Sequence, residues 1–334
     1  MPSPAQMAHA SMASSSWPLF TATRLSYDVA SGRWRETQNC KVQIATSAFA
    51  RGGMRLAFRG LEHETTGALS PCVLKFFEEE QLKHPKYYFA EASTQMVAES
   101  IAQEFNKALK RNESAFRAAS RGSSTLPTIG FVPVSVLRFN DKSVFGQRFC
   151  TIEPLLDGQY RKHTDNDGMS DNEPAAVAFE HFSHFHTAGS LVVCDLQGVS
   201  GTLFTDPQIH SLDGRGFGLG NLGNAGIQRW RAKHKCTSLC HVVCAARRTP
   251  SSSRGAASAP PRMQPPPPPP PPRRPAAGAH GLMRVAQPGE SDAEVAARLQ
   301  AEEYSVDDEN GAMHFKEKRR RFDGFLDSAA RWAA

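Results

Sequence analysis

Long apolar runs are missing from the sequence. No stretch of the 334 residues approaches the roughly 20 consecutive apolar residues that a membrane-spanning helix needs, so such a span is excluded. The N-terminal segment has no basic start followed by an apolar run, and a secretory signal is not expected. Cysteine is sparse and unpaired in pattern: seven residues, an odd number, with Cys40, Cys72, Cys150 and Cys194 each standing alone. That argues against a disulfide scaffold and for a reducing compartment, with the cytoplasm as the expected location. A strong charge of one sign is also lacking. The 39 basic and 33 acidic residues leave a net charge of +6 with acidic patches throughout, which does not indicate nucleic-acid binding. No internal repeat is visible.

Proline, by contrast, is concentrated. Twelve of the 23 prolines fall between Pro250 and Pro275, and Pro265 to Pro272 is an unbroken run. Each proline lacks an N–H and fixes φ, so the run cannot enter a packed core and reads as an extended linker. The expected division is a disordered leader over 1–29, a globular domain over 30–246, a Pro/Ser/Ala-rich linker over 247–290 and a largely disordered tail over 291–334. The run from Pro265 to Pro272 fits an SH3-, WW- or profilin-type partner, or an unselective spacer. In the tail, Ser291 and Glu294 form a capping box that opens a short amphipathic helix to about Tyr304. Lys316 to Arg321 is a basic cluster, read either as a nuclear signal or as solvated surface.

Within the globular segment, Lys41–Thr46 alternates polar and apolar residues, a glycine-containing turn follows, and Leu56–Arg59 resumes, which predicts a hairpin. Cys72–Phe77 reads as a strand. Phe89, Met96, Val97, Ile101, Phe105 and Leu109 recur at helical spacing over 88–110. Strands are expected over 129–137, 145–152 and 190–196, and helices over 176–186 and 225–244. The fold class is α+β.

Four constellations carry chemistry. Asp195 and Gln197 sit at i and i+2 after a buried apolar strand, so they share one cleft, and Asp206 lies a short loop away. Two acids and an amide suit magnesium, a hard cation that takes oxygen ligands, although Asp in such loops is also ordinary turn chemistry. Gly214 to Gly223 is a glycine loop running into a helix, able to approach phosphate or peptide closely, but no acidic residue follows at dinucleotide-fold spacing. His234, Cys236 and Cys240 suggest a structural zinc site, with His184 as the fourth ligand; the alternative is a buried thiol stripe with Cys244. Lys75 lies in an apolar strand, where an amine needs an anion such as phosphate unless it snorkels from an edge.

Taken together, these motifs resemble the α-kinase family, the atypical serine/threonine protein kinases that include myosin heavy-chain and elongation-factor kinases. The resemblance runs through FARGGMR (49–55), VLKFF (73–77), TIEPLL (151–156), AFEHFSHF (178–185), LVVCDLQGV (191–199), TDPQIHS (205–211), GRGFGLGNLGNAGI (214–227) and HKCTSLC (234–240). It implies a two-lobed kinase fold, an N-lobe over about 30–150 and a zinc-stabilised C-lobe over about 151–246. By that similarity Lys75 contacts the α- and β-phosphates of ATP, and Arg55 lies near them. Glu153 and the Leu155 backbone hold adenine between the lobes. Asp195 positions and activates the substrate hydroxyl, and Gln197 and Asp206 bind magnesium. The loop residues Gly218, Gly220, Asn221 and Gly223 serve binding, of peptide more than nucleotide, and His184, His234, Cys236 and Cys240 hold zinc. The implied function is phosphoryl transfer from ATP to serine or threonine of a protein substrate. The other-class alternative is an inactive or weakly active pseudokinase scaffold that recruits partners through its Pro-rich tail.

Overall fold

The computed structural model describes residues 17–119, 125–140, 143–171 and 173–244. The Pro run, the 291–304 helix and the basic cluster lie outside the described residues, as does most of the expected leader.

Six strands close a barrel in the order β1 (Leu19–Asp28), β2 (Arg33–Arg51), β3 (Arg55–His63), β4 (Leu69–Phe77), β7 (Phe149–Pro154) and β6 (Ser135–Phe139). All its neighbouring strands are antiparallel. β1 corrects the expected 1–29 leader. Ala22, Leu25 and Tyr27 of β1 are buried, and β1 pairs with both β2 and β6, so the barrel needs it. The low-complexity residues ahead of Leu19 masked this short apolar pattern. The barrel is filled by Val42, Ile44, Phe58, Leu74, Phe76, Phe139 and Ile152. It also runs four residues past the expected lobe boundary at 150, because β7 pairs with β6 as far as Ile152 and with β4 as far as Pro154.

The expected helix over 88–110 is α1 (Pro85–Arg111). Pro85 opens it, where a missing N–H costs nothing, and the His84 ring accepts from Lys86 N. Its buried face, with Ala92, Ile101, Phe105 and Leu109, joins the largest core and packs between the barrel and the rest of the chain. A short α2 (Glu113–Ala119) follows.

The expected strand over 129–137 is two strands. Pro133, which cannot donate to a ladder, separates β5 (Gly130–Phe131) from β6, and the two serve different sheets. β5 begins a four-stranded sheet in the order β5, β11 (Leu203–Thr205), β10 (Gln197–Val199), β8 (Arg161–Lys162). Gly198 is required in β10, since a Cβ there would come within 2.1 Å of Leu203 O. β9 (Leu191–Cys194) pairs with β12 (Gln208–Ser211) beside α3 (Pro174–His186). The expected helix over 225–244 is also two, α4 (Gly223–Lys233) and α5 (Ser238–Cys244), parted by extended backbone at His234.

Candidate active site

A cavity of about 970 Å³ opens between the barrel and the second sheet. Its roof is the β2–β3 turn, from Phe49 to Met54, and its walls include Arg55, Val73, Lys75, Glu91, Thr94, Glu153, Leu155, Asp195, Gln197, Asp206 and Gly220. β4 places Lys75 among buried neighbours. Lys75 Nζ lies 2.6 Å from Glu153 Oε1 on β7 and 2.6 Å from Asp206 Oδ2 on the β11–β12 connection. Arg55, at the start of β3, reaches Asp206 Oδ1 at 2.9 Å and Glu91 Oε2 on α1 at 2.8 Å. Asp206 thus holds two cations from the barrel. Burial would raise its carboxyl, but Lys75 and then Arg55 outweigh that and hold it at about 2. For Lys75, burial favours the neutral amine; Asp206 and Glu153 override it and raise its pKa.

Asp195 follows β9 directly and is buried, which raises its pKa; Lys162 Nζ, 2.6 Å from Oδ1, opposes that rise. Gln197 donates to Asp195 Oδ2 at 3.3 Å and to Asp206 O at 3.1 Å, so its amide spans the two acids. Asp195 and Asp206 have φ of 59° and 52°, the left-handed region that costs a non-glycine residue energy. Two such residues at one cleft indicate side chains placed at the expense of backbone comfort. Thr94 Oγ1 and Gln208 Oε1, both lining the cavity, are buried and have no hydrogen-bond partner among the described residues.

Other expected site residues fall differently. Leu155 lines the cavity, but its N–H donates to Pro71 O at 3.1 Å, so an adenine contact there falls to its carbonyl. Glu153 also lines the cavity, with its carboxylate on Lys75 and on the Thr205 hydroxyl, at 2.7 Å. Of the four loop residues, only Gly220 lines the cavity, joined by Phe217. Asn221 is instead the clamp of the loop. Its Oδ1 accepts from Ser211 N and Gly223 N, and its Nδ2 donates to Ser211 Oγ, Arg215 O and Gly216 O. Gly218 packs on Ala90 and Glu91 of α1, and Gly223 on Gly214.

A second cluster lies where α3 meets the break between α4 and α5. His181 Nδ1 is 3.1 Å from His234 Nε2 and 3.4 Å from Cys236 Sγ. Cys236 Sγ and Cys240 Sγ lie 3.7 Å and 4.0 Å from His234 Nε2. Ligand atoms on a tetrahedron around zinc sit about 3.3 to 3.8 Å apart, given metal–ligand bonds near 2.0 to 2.3 Å. His181, His234 and Cys240 bring their ligand atoms within 4.8 Å of one another and could hold a metal ion, with Cys236 Sγ beside both histidines. His184 does not belong to the set, which corrects the expected fourth ligand. Its Nδ1 turns to Leu191 O at 3.2 Å, while His181, one turn earlier on α3, faces His234. Cys236 is exposed and precedes α5, so it and Cys240 do not form one helical stripe. Burial, then His181, lowers the His234 pKa to about 4, leaving the ring neutral as a ligand must be.

A profile of the alpha-kinase family matches residues 50–240, which takes in the barrel from the roof turn onward, the cleft and the second cluster. The chain belongs to the alpha-kinase family. It is 36% identical over 217 residues to alpha-protein kinase 1 of Dictyostelium discoideum, covering 64% of this chain and 15% of that protein. It is 33% identical over 201 residues to myosin heavy chain kinase B of the same organism, covering 60% and 25%. The chain therefore matches only about a sixth to a quarter of the length of these relatives. Among solved structures, the alpha-kinase domain of myosin heavy chain kinase A in complex with AMP superposes with a TM-score of 0.59 at 28% identity, over 68% of this chain and 98% of that one. The same domain with AMP-PNP gives 0.59 at 28% identity. The mixed helix-and-sheet fold is the alpha-kinase domain fold. No helix among the described residues is long and apolar enough to cross a membrane.

Sequence reasoning missed Lys162, Glu91, Gln95 and His181. Lys162 sits in a two-residue strand with no pattern of its own, and Glu91 and Gln95 are polar positions in a helix whose apolar spacing draws attention elsewhere. His181 had a signal: it stands beside His184 in a segment already read as ligand-bearing.

Proposed function

We propose that this alpha-kinase domain transfers the γ-phosphoryl group of ATP to serine or threonine hydroxyls of protein substrates. The observation that carries the reading is Lys75, a buried amine held between Glu153 and Asp206 at the edge of a large cavity, with Asp195 across from it. The solved relatives in complex with AMP and AMP-PNP support nucleotide binding.

In this reading Lys75 and Arg55 supply positive charge to the phosphates, and the roof turn of β2–β3 closes over them. Asp195 accepts the proton of the substrate hydroxyl as its oxygen attacks the γ-phosphorus; the bond to the bridging oxygen breaks and ADP leaves. Lys162 opposes the rise that burial imposes on the Asp195 carboxyl and so favours the proton-accepting form. Gln197 and Asp206 would hold magnesium, whose chemistry is neutralisation of phosphate charge. His181, His234, Cys236 and Cys240 would hold a structural zinc, which couples metal binding to folding of the C-terminal part. Phe217 and Gly220 bring the glycine loop to the cavity mouth, where a peptide would lie.

The test is incubation of the purified full chain with ATP and magnesium, followed by mass spectrometry of the chain itself. Phosphoserine or phosphothreonine, absent from Asp195→Ala, supports the reading. A wild type that binds a non-hydrolysable ATP analogue yet gains no phosphate favours the scaffold alternative.

A further inference from the structure

We propose that Gln95, on α1, is a positioning residue that fixes the backbone of Asp206 and so aims its carboxylate into the cleft. The proposal rests on the reading of Asp206 as a magnesium ligand.

Asp206 falls between β11, which ends at Thr205, and β12, which begins at Gln208. Neither ladder includes it, and its left-handed φ of 52° turns its N–H away from the strands. Asp206 is half-buried in the cleft wall, and that N–H finds its partner on α1. Gln95 Oε1 accepts it at 2.9 Å. Thr205 Oγ1 is also near Gln95 Oε1, at 3.4 Å, but its single proton has a better acceptor in Glu153 Oε2 at 2.7 Å. The Gln95 oxygen is therefore free to serve Asp206.

The other half of the amide fixes its orientation. Gln95 Nε2 donates to Val132 O at 2.7 Å, so a flipped amide would set oxygen against oxygen and nitrogen against N–H. Val132 N in turn donates to Phe204 O, on the strand that leads to Asp206. One buried side chain thus joins Asp206 to Val132, the residue bonded to β11. The same helix grips Asp206 by a second route, since Glu91 holds Arg55 and Arg55 holds Asp206. No charge on Gln95 competes with the cations that Asp206 must balance, which distinguishes its role from that of Glu91.

A control exists on the same helix. Asn106 clamps Ile129, near Val132 on the same run of chain, donating to its O at 2.7 Å and accepting from its N at 2.9 Å, whereas the bond to Asp206 N belongs to Gln95. Gln95→Met removes a buried amide and Asn106→Leu a half-buried one, each tying α1 to this segment; only the first releases Asp206.

The experiment compares wild type, Gln95→Met and Asn106→Leu as full chains. Calorimetry measures binding of a non-hydrolysable ATP analogue with and without magnesium; thermal melting measures stability; steady-state kinetics separate kcat from KM for ATP. Gln95→Met is expected to lose about tenfold or more of the magnesium-dependent gain in affinity and a similar factor in kcat, as removal of a ligand's supporting partner does. Its magnesium-free affinity stays near wild type, and Asn106→Leu lowers only the melting temperature. A Gln95→Met protein that loses stability alone, or an Asn106→Leu protein with the same loss of magnesium-dependent affinity, overturns the proposal. Should Gln95→Met not fold, hydrogen exchange of the Asp206 N–H in the wild type decides: strong protection supports its bond to Gln95, and exchange at the rate of an exposed loop overturns the proposal. A wild type without any magnesium-dependent gain refutes the magnesium reading of Asp206 itself, a separate result.

Discussion

Lys75 Nζ and Asp206 Oδ2, 131 residues apart in sequence, lie 2.6 Å from each other at the junction of barrel and second sheet. The pair joins β4 of the barrel to the β11–β12 connection, so neither half of the cleft is set without the other. Asp206→Asn keeps the side chain's size and removes the charge that balances Lys75 and Arg55. It is expected to abolish phosphoryl transfer, measured with labelled ATP, while the protein stays folded by circular dichroism. Lys75→Ala is expected to abolish transfer too, but at a cost of about 3–5 kcal/mol in stability, because it leaves Glu153 buried without its cation and Asp206 with Arg55 alone. Equal melting temperatures for the two variants would contradict that account of the ion network.

Lys162 bears on the pH dependence. Burial raises the Asp195 carboxyl and Lys162 opposes the rise. Without the lysine, Asp195 holds its proton to higher pH and is the wrong form for accepting one from a substrate. Lys162→Met is therefore expected to move the acidic limb of the kcat profile toward higher pH and to lower kcat at neutral pH by about 100-fold, the range typical of general-base effects. An unmoved acidic limb would separate Lys162 from Asp195.

The two histidines of α3 give the zinc assignment a direct contrast. His181→Ala is expected to lose the bound metal, read as zinc per chain by atomic absorption, and to melt at lower temperature. His184→Ala, whose ring is turned to Leu191 O, is expected to retain the metal. The opposite outcome would restore His184 to the cluster.

Glu180, fully buried next to His181, has its carboxyl raised to about 8, chiefly by burial; its Oε2 accepts from Trp230 Nε1 at 3.0 Å. A carboxyl whose folded pKa lies above its unfolded value contributes stability that is complete below the unfolded pKa. That contribution is lost as pH rises through the folded pKa. Glu180→Gln keeps the acceptor for Trp230 and cannot ionise. Its stability relative to wild type, measured by urea denaturation, is expected to improve progressively from about pH 4.5 to pH 8, by a few kcal/mol in all. A difference that does not change with pH would show that Glu180 is not held protonated in the fold.

Much of this was legible in the sequence because separate weak signals fell in family order. Asp195, Gln197 and Asp206 stood out through their position after an apolar strand, and Lys75 through its apolar neighbours; the fold brings all four to one cavity. What stayed hidden depends on long-range closure. β1 has few buried residues and shows itself only by pairing with β2 and β6. The glycine loop looked like a binding loop throughout, yet Asn221 is spent on holding its shape, and only Gly220 of the four expected residues reaches the cavity. His181 and His184 are three apart on one helix, and nothing in the spacing decides between them. The break at His234, which turns its ring toward α3, does.

The central claim is that Asp195 and Lys75 face each other across a site that transfers phosphate. It is tested most directly by following the transfer of label from γ-labelled ATP to a protein substrate with saturating magnesium, using the wild-type full chain and Asp195→Ala side by side. The expected result is phosphoserine or phosphothreonine formed by the wild type and none above background by Asp195→Ala, with both proteins binding the nucleotide. Equal transfer by the two proteins, or nucleotide binding with no transfer by either, would contradict it.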